Sequence, residues 1–107
     1  MSISEELIVR EYIMREESEY RVPYSSEFEF YILVKNGEVE KVKEACKKEF
    51  SDKSGFGKLC DNPLQNIKYH FVVTAALIAR YCIDGGMSHE TAYNLSDLYI
   101  NRADKAK

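Results

Sequence analysis

The sequence predicts a compact all-α domain, a bundle of about five helices around a buried central helix at about residues 63–84. Apolar residues recur at spacings of three and four along most of the chain, which is the period of a helix. Residues that cap helices stand before several of these segments. The 107 residues include only five Gly and two Pro, which leaves little chain for long loops.

The first helix is predicted to run from about Ser2 to about Glu17. Ser2 and Glu5 have the spacing of a capping box. Pro23 ends the helical pattern, because the residue before a proline is disfavoured in a helix. We expect the apolar side chains of this helix to be buried against its neighbours: Leu7, Ile8, Val9, Tyr12, Ile13 and Met14.

Residues 26–50 admit two interpretations, a helical pair or a β-hairpin. Ser26 and Glu29 form a second capping box, which favours a helix. Apolar residues alternate over 28–34, however, and Asn36-Gly37 is a strong hairpin signal. The second arm decides in favour of two helices, because a helical period cannot pair in a ladder with a period of two. Its apolar residues are spaced by three and four: Val39, Val42, Ala45, Cys46 and Phe50.

The central helix is predicted over about Pro63 to Asp84. Asp61 or Asn62 is its cap, and Pro63 occupies the first position that proline favours. Residues 71–83 are apolar almost all round, so we expect neighbours on several sides.

The last helix follows a turn at Gly85-Gly86, and Ser88 is its predicted cap. Glu90 lies near the positive end of its dipole. Its predicted inward stripe consists of Ala92, Leu95, Leu98 and Tyr99.

Charge and cysteine content indicate a soluble cytoplasmic protein. The formal net charge is −3, so no overall field draws the chain towards nucleic acid or an anionic membrane. Cys46, Cys60 and Cys82 are odd in number and form no CxxC pair, which is typical of reduced thiols. The longest apolar stretch, residues 71–79, is far shorter than the roughly 20 residues that span a bilayer.

No catalytic, metal-binding or cofactor-binding residue is predicted. His70 has no acid or thiol one helical turn away, and a metal site needs several converging ligands. Packing therefore explains His70 better than ligation. His89, in the first turn of the last helix, is predicted to be solvated.

Aromatic residues crowd the first two helices and the link between them. They either fill the seam against the central helix or form an aromatic-lined pocket or dimer surface, because tyrosine is favoured where one end stays wet. The pocket or dimer surface would use Tyr12, Tyr20, Tyr24, Phe28 and Tyr31.

The corner at residues 79–98 has the pattern of a helix-turn-helix, with a Gly-centred turn and a Ser cap. An ordinary αα-corner has the same pattern. In a DNA-binding protein the last helix would enter the major groove, with His89, Asn94 and Arg102 facing the DNA. Glu90 and Asp97 on that helix argue against it, since binding to phosphates depends on cations.

Residues 61–80 read DNPLQNIKYHFVVTAALIAR, and residues 85–100 read GGMSHETAYNLSDLYI. Both runs resemble the helical region that precedes the DNA-binding domain in a subset of bacterial AraC-type transcriptional regulators. NGEVE at residues 36–40 also fits that group. The resemblance covers roughly residues 24–107 and is most specific over 61–100.

The resemblance implies a regulator whose paired helix-turn-helix DNA-binding domain lies C-terminal to this chain and is absent from it. Residues 1–107 would then form one helical regulatory domain that senses a signal, dimerises, or does both. The partners implied are a second copy, the attached DNA-binding domain and an unknown small-molecule effector, without direct contact to nucleic acid. It implies no catalytic residue, and no ligand-binding position is carried over.

Overall fold

A computed structural model of the protein describes residues 1–17, 24–51 and 57–107, with the side chains of 48–51 left out. The predicted all-α fold is confirmed across these residues, and the chain forms a helical bundle. The described helices are α1 (Ile3–Glu17), α2 (Tyr24–Lys35), α3 (Val39–Ser51), α4 (Pro63–Asp84) and α5 (His89–Lys105).

The turn between α2 and α3 excludes the β-hairpin. Gly37 adopts the left-handed conformation, with a φ of 70°, and ends α2 as a C-capping glycine does. The backbone N–H of Glu38 donates to the Leu33 carbonyl at 3.1 Å, so one of the last carbonyl groups of α2 has a hydrogen-bond partner. One detail of the prediction is wrong: α2 begins at Tyr24, so Ser26 lies inside the first turn and is not its cap.

Helices α4 and α5 form an antiparallel hairpin, and both begin at capping residues that the sequence predicted. Asn62, the second of the two predicted caps, accepts a hydrogen bond from the Gln65 backbone N–H at 2.9 Å. Ser88 accepts one from the Thr91 backbone N–H at 3.2 Å. At the far end of the pair, Lys68 Nζ donates to the Asp104 carbonyl at 2.9 Å, so the start of α4 lies beside the end of α5.

Helix α4 is central because it packs against both α2 and α5, while α3 packs against α2. Tyr31 of α2 stacks on Tyr81 of α4, with ring centroids 5.0 Å apart. Phe30 meets the Tyr31 ring edge-on and is buried with it. The seam between α2 and α4 is therefore aromatic. Away from its neighbours α4 stays exposed, for example at Val73.

The apolar residues of α1 are not buried, contrary to expectation. Leu7, Ile8 and Tyr12 are exposed, and among the described residues no other helix packs against α1. The reason is geometric: Ile8 and Tyr12 share one side of the helix, but Leu7 lies about 100° away from Ile8, with charged Glu11 and Arg15 between them, so one neighbour does not cover all three. The Arg10 guanidinium donates to the Lys58 carbonyl at 3.3 Å and links α1 to the segment before α4.

The predicted inward stripe of α5 is buried at one position only. Ala92 is 2% exposed, whereas Leu95, Leu98 and Tyr99 are 42%, 62% and 54% exposed. Helix α4 is the described neighbour of α5, and one helix covers a narrower strip than this stripe occupies. The remainder of the stripe faces outwards.

Over the part of the chain that the structure describes, none of the helices combines the length and the apolar character needed to cross a membrane.

Candidate association surface

A concave apolar surface of the described structure is a groove between α4 and α5. It encloses a volume of about 330 Å³. We call it the α4–α5 groove. Its lining residues are Phe71, Thr74, Ala75, Ile78, Ala79, Cys82, Met87, Ala92, Leu95, Ser96 and Tyr99.

Helical spacing places the groove residues of α4 in one row. Phe71, Ala75, Ile78 and Cys82 follow each other at intervals of three or four residues, so they share one side of the helix. On α5, Leu95 and Tyr99 are one turn apart and share a side in the same way. The two rows form the walls of the groove.

The floor of the groove is built from small residues. Ala79 and Ala92, which are 5% and 2% exposed, allow α4 and α5 to approach closely. The larger lining residues Phe71 and Tyr99 lie about two turns away from them along α4 and α5. Small and large apolar side chains together line the groove.

The residues that line the groove carry no charge. Thr74 and Ser96 contribute hydroxyl groups and Cys82 contributes a thiol, and the other lining residues are apolar or aromatic. The centres of protein–protein interfaces are likewise depleted of charge. Chemically, the groove is suited to bury an apolar surface.

The aromatic residues predicted to form a pocket or dimer surface do not form one group. Tyr31 is buried in the seam between α2 and α4, where it belongs to the core. Tyr24 and Phe28 make an exposed pair on α2, with ring centroids 6.2 Å apart. Tyr12 is exposed on α1. Tyr20 lies outside the described residues.

The residues of the DNA-binding alternative lie along α5 and are exposed: His89, Asn94 and Arg102. The His89 ring is 6.5 Å from that of Tyr93. Arg80 of α4 lies over the Tyr93 ring, 5.5 Å from its centroid, and donates to the Ala76 carbonyl at 2.9 Å. The Arg80 guanidinium, near the turn between α4 and α5, is therefore already held by contacts within the chain.

His70 is buried on α4 and is bonded to the segment that precedes this helix. Its Nε2 donates to the Gly57 carbonyl, which also accepts a hydrogen bond from Asn66 Nδ2 at 3.2 Å. Asn66 Oδ1 accepts from the Leu59 backbone N–H at 2.6 Å. These bonds hold the described segment before α4. Within the described residues, no three His, Cys, Asp or Glu side chains are grouped to hold a metal ion.

Sequence reasoning did not single out the groove, although two signals for it were present. Residues 71–83 are apolar on more sides than one neighbour covers, and the apolar stripe of α5 is wide as well. Where two such helices pack together, their surplus apolar surface lies side by side. Which part stays uncovered depends on the other helices, and the pattern of one helix does not contain that information.

Comparison of the chain with protein-family models, with curated proteins and with solved structures gave no significant match.

Proposed function

We propose that this chain is the non-catalytic regulatory region of an AraC-type transcription regulator and that it acts in the cytoplasm by self-association, by sensing a signal, or by both. The observation that carries the proposal is the uncharged α4–α5 groove, which leaves a preformed apolar surface open to a partner. Exposed apolar surface of this kind marks interaction sites on soluble proteins.

The residues that resemble the regulators support the proposal by their positions. Asn62 and Pro63 begin α4, and Ser88 begins α5 after the Gly85-Gly86 turn. The two runs at 61–80 and 85–100 thus make up the α4–α5 hairpin, which carries the groove. The resemblance and the candidate association surface therefore involve the same part of the molecule.

In this proposal the chain controls how two attached DNA-binding domains are arranged. A homodimer fixes the distance between two copies and so favours one spacing of the attached domains. A small-molecule effector acts only if it binds one arrangement more tightly than the other. The groove, at about 330 Å³, lies at the lower end of the volumes typical of small-molecule sites.

The chain itself would not contact DNA. Acidic Glu90 and Asp97 are exposed on α5, on the helix that would have to approach the phosphates. Retention on bulk duplex DNA at low ionic strength checks this part, because phosphate contacts are strongest there. We expect no retention. Salt-sensitive retention that is lost in Arg102→Ala would instead favour the helix-turn-helix alternative.

A reporter experiment tests the pairing of DNA-binding domains. The chain is fused ahead of a DNA-binding domain that represses a reporter gene only when two copies are held together. We expect repression, and the same DNA-binding domain without the chain is the control. A fusion that is expressed and folded but does not repress would contradict a pairing role.

A further inference from the structure

We propose that the α4–α5 groove is the interface between two copies of this chain, which pack their hairpins about a two-fold axis into a four-helix bundle. The proposal rests on the proposed function and names the surface through which self-association takes place. The proposed partner of the groove is a second copy of this chain. Four observations support it: the area left exposed, the absence of charge in the groove, the exposed side chains of Leu95 and Tyr99 that line it, and the contrast with α1.

The exposed area exceeds that of a compact monomer. A folded monomer of 12.4 kDa is expected to expose about 6,100 Å², whereas this chain exposes 8427 Å². Part of the difference, about 2,300 Å², belongs to α1, which no other described helix covers. The total therefore shows that surface for a standard interface of roughly 800 Å² per partner is present, but it does not locate that interface. The radius of gyration, 15.8 Å, also exceeds the roughly 13 Å expected for this length. The chain thus has enough surface for a stable dimer.

The absence of charge in the groove suits contact with a second copy of this chain. A two-fold interface brings the same patch of each copy together, so any charge within it faces a like charge or is buried without a partner. The lining residues of the α4–α5 groove contain no Asp, Glu, Lys or Arg. Two copies can therefore meet there without electrostatic repulsion.

The exposed side chains at the groove are available to a second copy. Each copy offers a concave groove and, beside it, the exposed side chains of Leu95 and Tyr99. With two-fold packing these side chains enter the partner's groove, and the partner's equivalent side chains enter the groove of the first copy. Two antiparallel helices from each copy then enclose one apolar core, as in four-helix bundles.

Helix α1 is the rival surface, and its pattern is less suited to an interface. Its exposed apolar residues Ile8 and Tyr12 share one side of the helix. Acidic Glu5 and Glu16 lie on the same side, one turn before and one turn after this pair. Helix α1 thus lacks a continuous uncharged surface like that of the groove.

A pair of matched variants tests the interface. Leu95→Glu introduces a charge into the groove, and Leu7→Glu makes the same change on α1. Both leucines are about half exposed in one copy, at 42% and 54%, so neither change empties the core. We expect Leu95→Glu to raise the dissociation constant by about 100-fold or more, because two-fold symmetry puts the change into the interface twice. We expect Leu7→Glu to leave the constant within about 3-fold.

Sedimentation equilibrium supplies the dissociation constants, and circular dichroism verifies that each variant is folded. If Leu95→Glu does not fold, Tyr99→Glu takes its place, because that side chain is 54% exposed. A dimer that Leu7→Glu disrupts and Leu95→Glu does not would overturn the groove as the interface, while the proposed function would stand. A wild-type chain that is monomeric at every concentration would overturn the groove dimer and the self-association part of the proposed function together.

A thiol measurement on the wild-type chain tests the same surface without a variant. Cys82 lines the groove, whereas Cys60 lies before α4, and both thiols are half-buried in one copy. We expect alkylation of Cys82 to slow as the protein concentration rises through the dissociation constant, while alkylation of Cys60 keeps its rate. Equal rates for Cys82 in monomer and dimer would contradict the proposal.

Discussion

Gly85 illustrates how a single position is constrained by its neighbours rather than by its own backbone. Its φ of −82° is accessible to any residue. A Cβ atom at this position, however, would overlap the backbone carbonyl oxygen of Lys35 at the end of α2. Gly37 is the opposite case, since its φ of 70° favours glycine while the space around it is open. The two glycines are therefore needed for different reasons.

The same substitution at Gly85 and Gly37 distinguishes lack of space from the left-handed backbone conformation. Gly85→Asn forces α2 and α4 apart, and we expect it to lower the free energy of unfolding by about 1–3 kcal/mol. Gly37→Asn keeps the turn, because asparagine tolerates the left-handed conformation, and we expect a loss below about 1 kcal/mol. Urea denaturation followed by circular dichroism measures both. A larger loss for Gly37→Asn than for Gly85→Asn would contradict the close approach of α2 and α4.

At the scale of the helices, local sequence accounts for most of what is observed. The start of α4 after Asn62 and the start of α5 after Ser88 follow from capping side chains that act within one turn. The helical period of α3 was sufficient to reject a β-hairpin despite the Asn36-Gly37 turn. The same reasoning was wrong at Ser26, because α2 begins two residues earlier, at Tyr24, and a residue inside a helix cannot be its cap.

Substitutions of Ser88 and Ser26 compare a capping serine with a serine inside a helix. Ser88→Ala removes the acceptor for the Thr91 N–H, and we expect a loss of about 1 kcal/mol in the free energy of unfolding. Ser26→Ala changes an exposed residue inside α2, and we expect an effect within about 0.5 kcal/mol. Thermal unfolding resolves the two, since about 1 kcal/mol corresponds to roughly 4–8 °C for a domain of this size. Equal losses would mean that Ser26 acts as a cap after all.

At the scale of the whole molecule, sequence predicted the order of the described helices but not which apolar surface would be covered. Leu95 and Tyr99 belong to a stripe that the helical period assigns to the inside, yet the stripe extends beyond the strip that α4 covers. Burial depends on how many neighbours a helix has, which is a property of the assembled fold. For this reason the α4–α5 groove could not be predicted from the pattern of each helix alone.

The account predicts that stability depends on protein concentration. A dimer that binds folded chains is favoured by mass action, so the melting temperature should rise by about 3–5 °C for each tenfold increase in concentration. Leu95→Glu should remove most of this dependence, and Leu7→Glu should preserve it. Calorimetry or circular dichroism at several concentrations measures the effect. A melting temperature of the wild-type chain that is constant over this range would contradict a dimer of folded chains.

Self-association of this chain through the α4–α5 groove is tested by sedimentation equilibrium of the wild-type chain, from low micromolar to several hundred micromolar. We expect a reversible rise in mass from 12.4 kDa towards twice that value, with Leu95→Glu held near the monomer. A wild-type chain that sediments at 12.4 kDa over the whole range would contradict it.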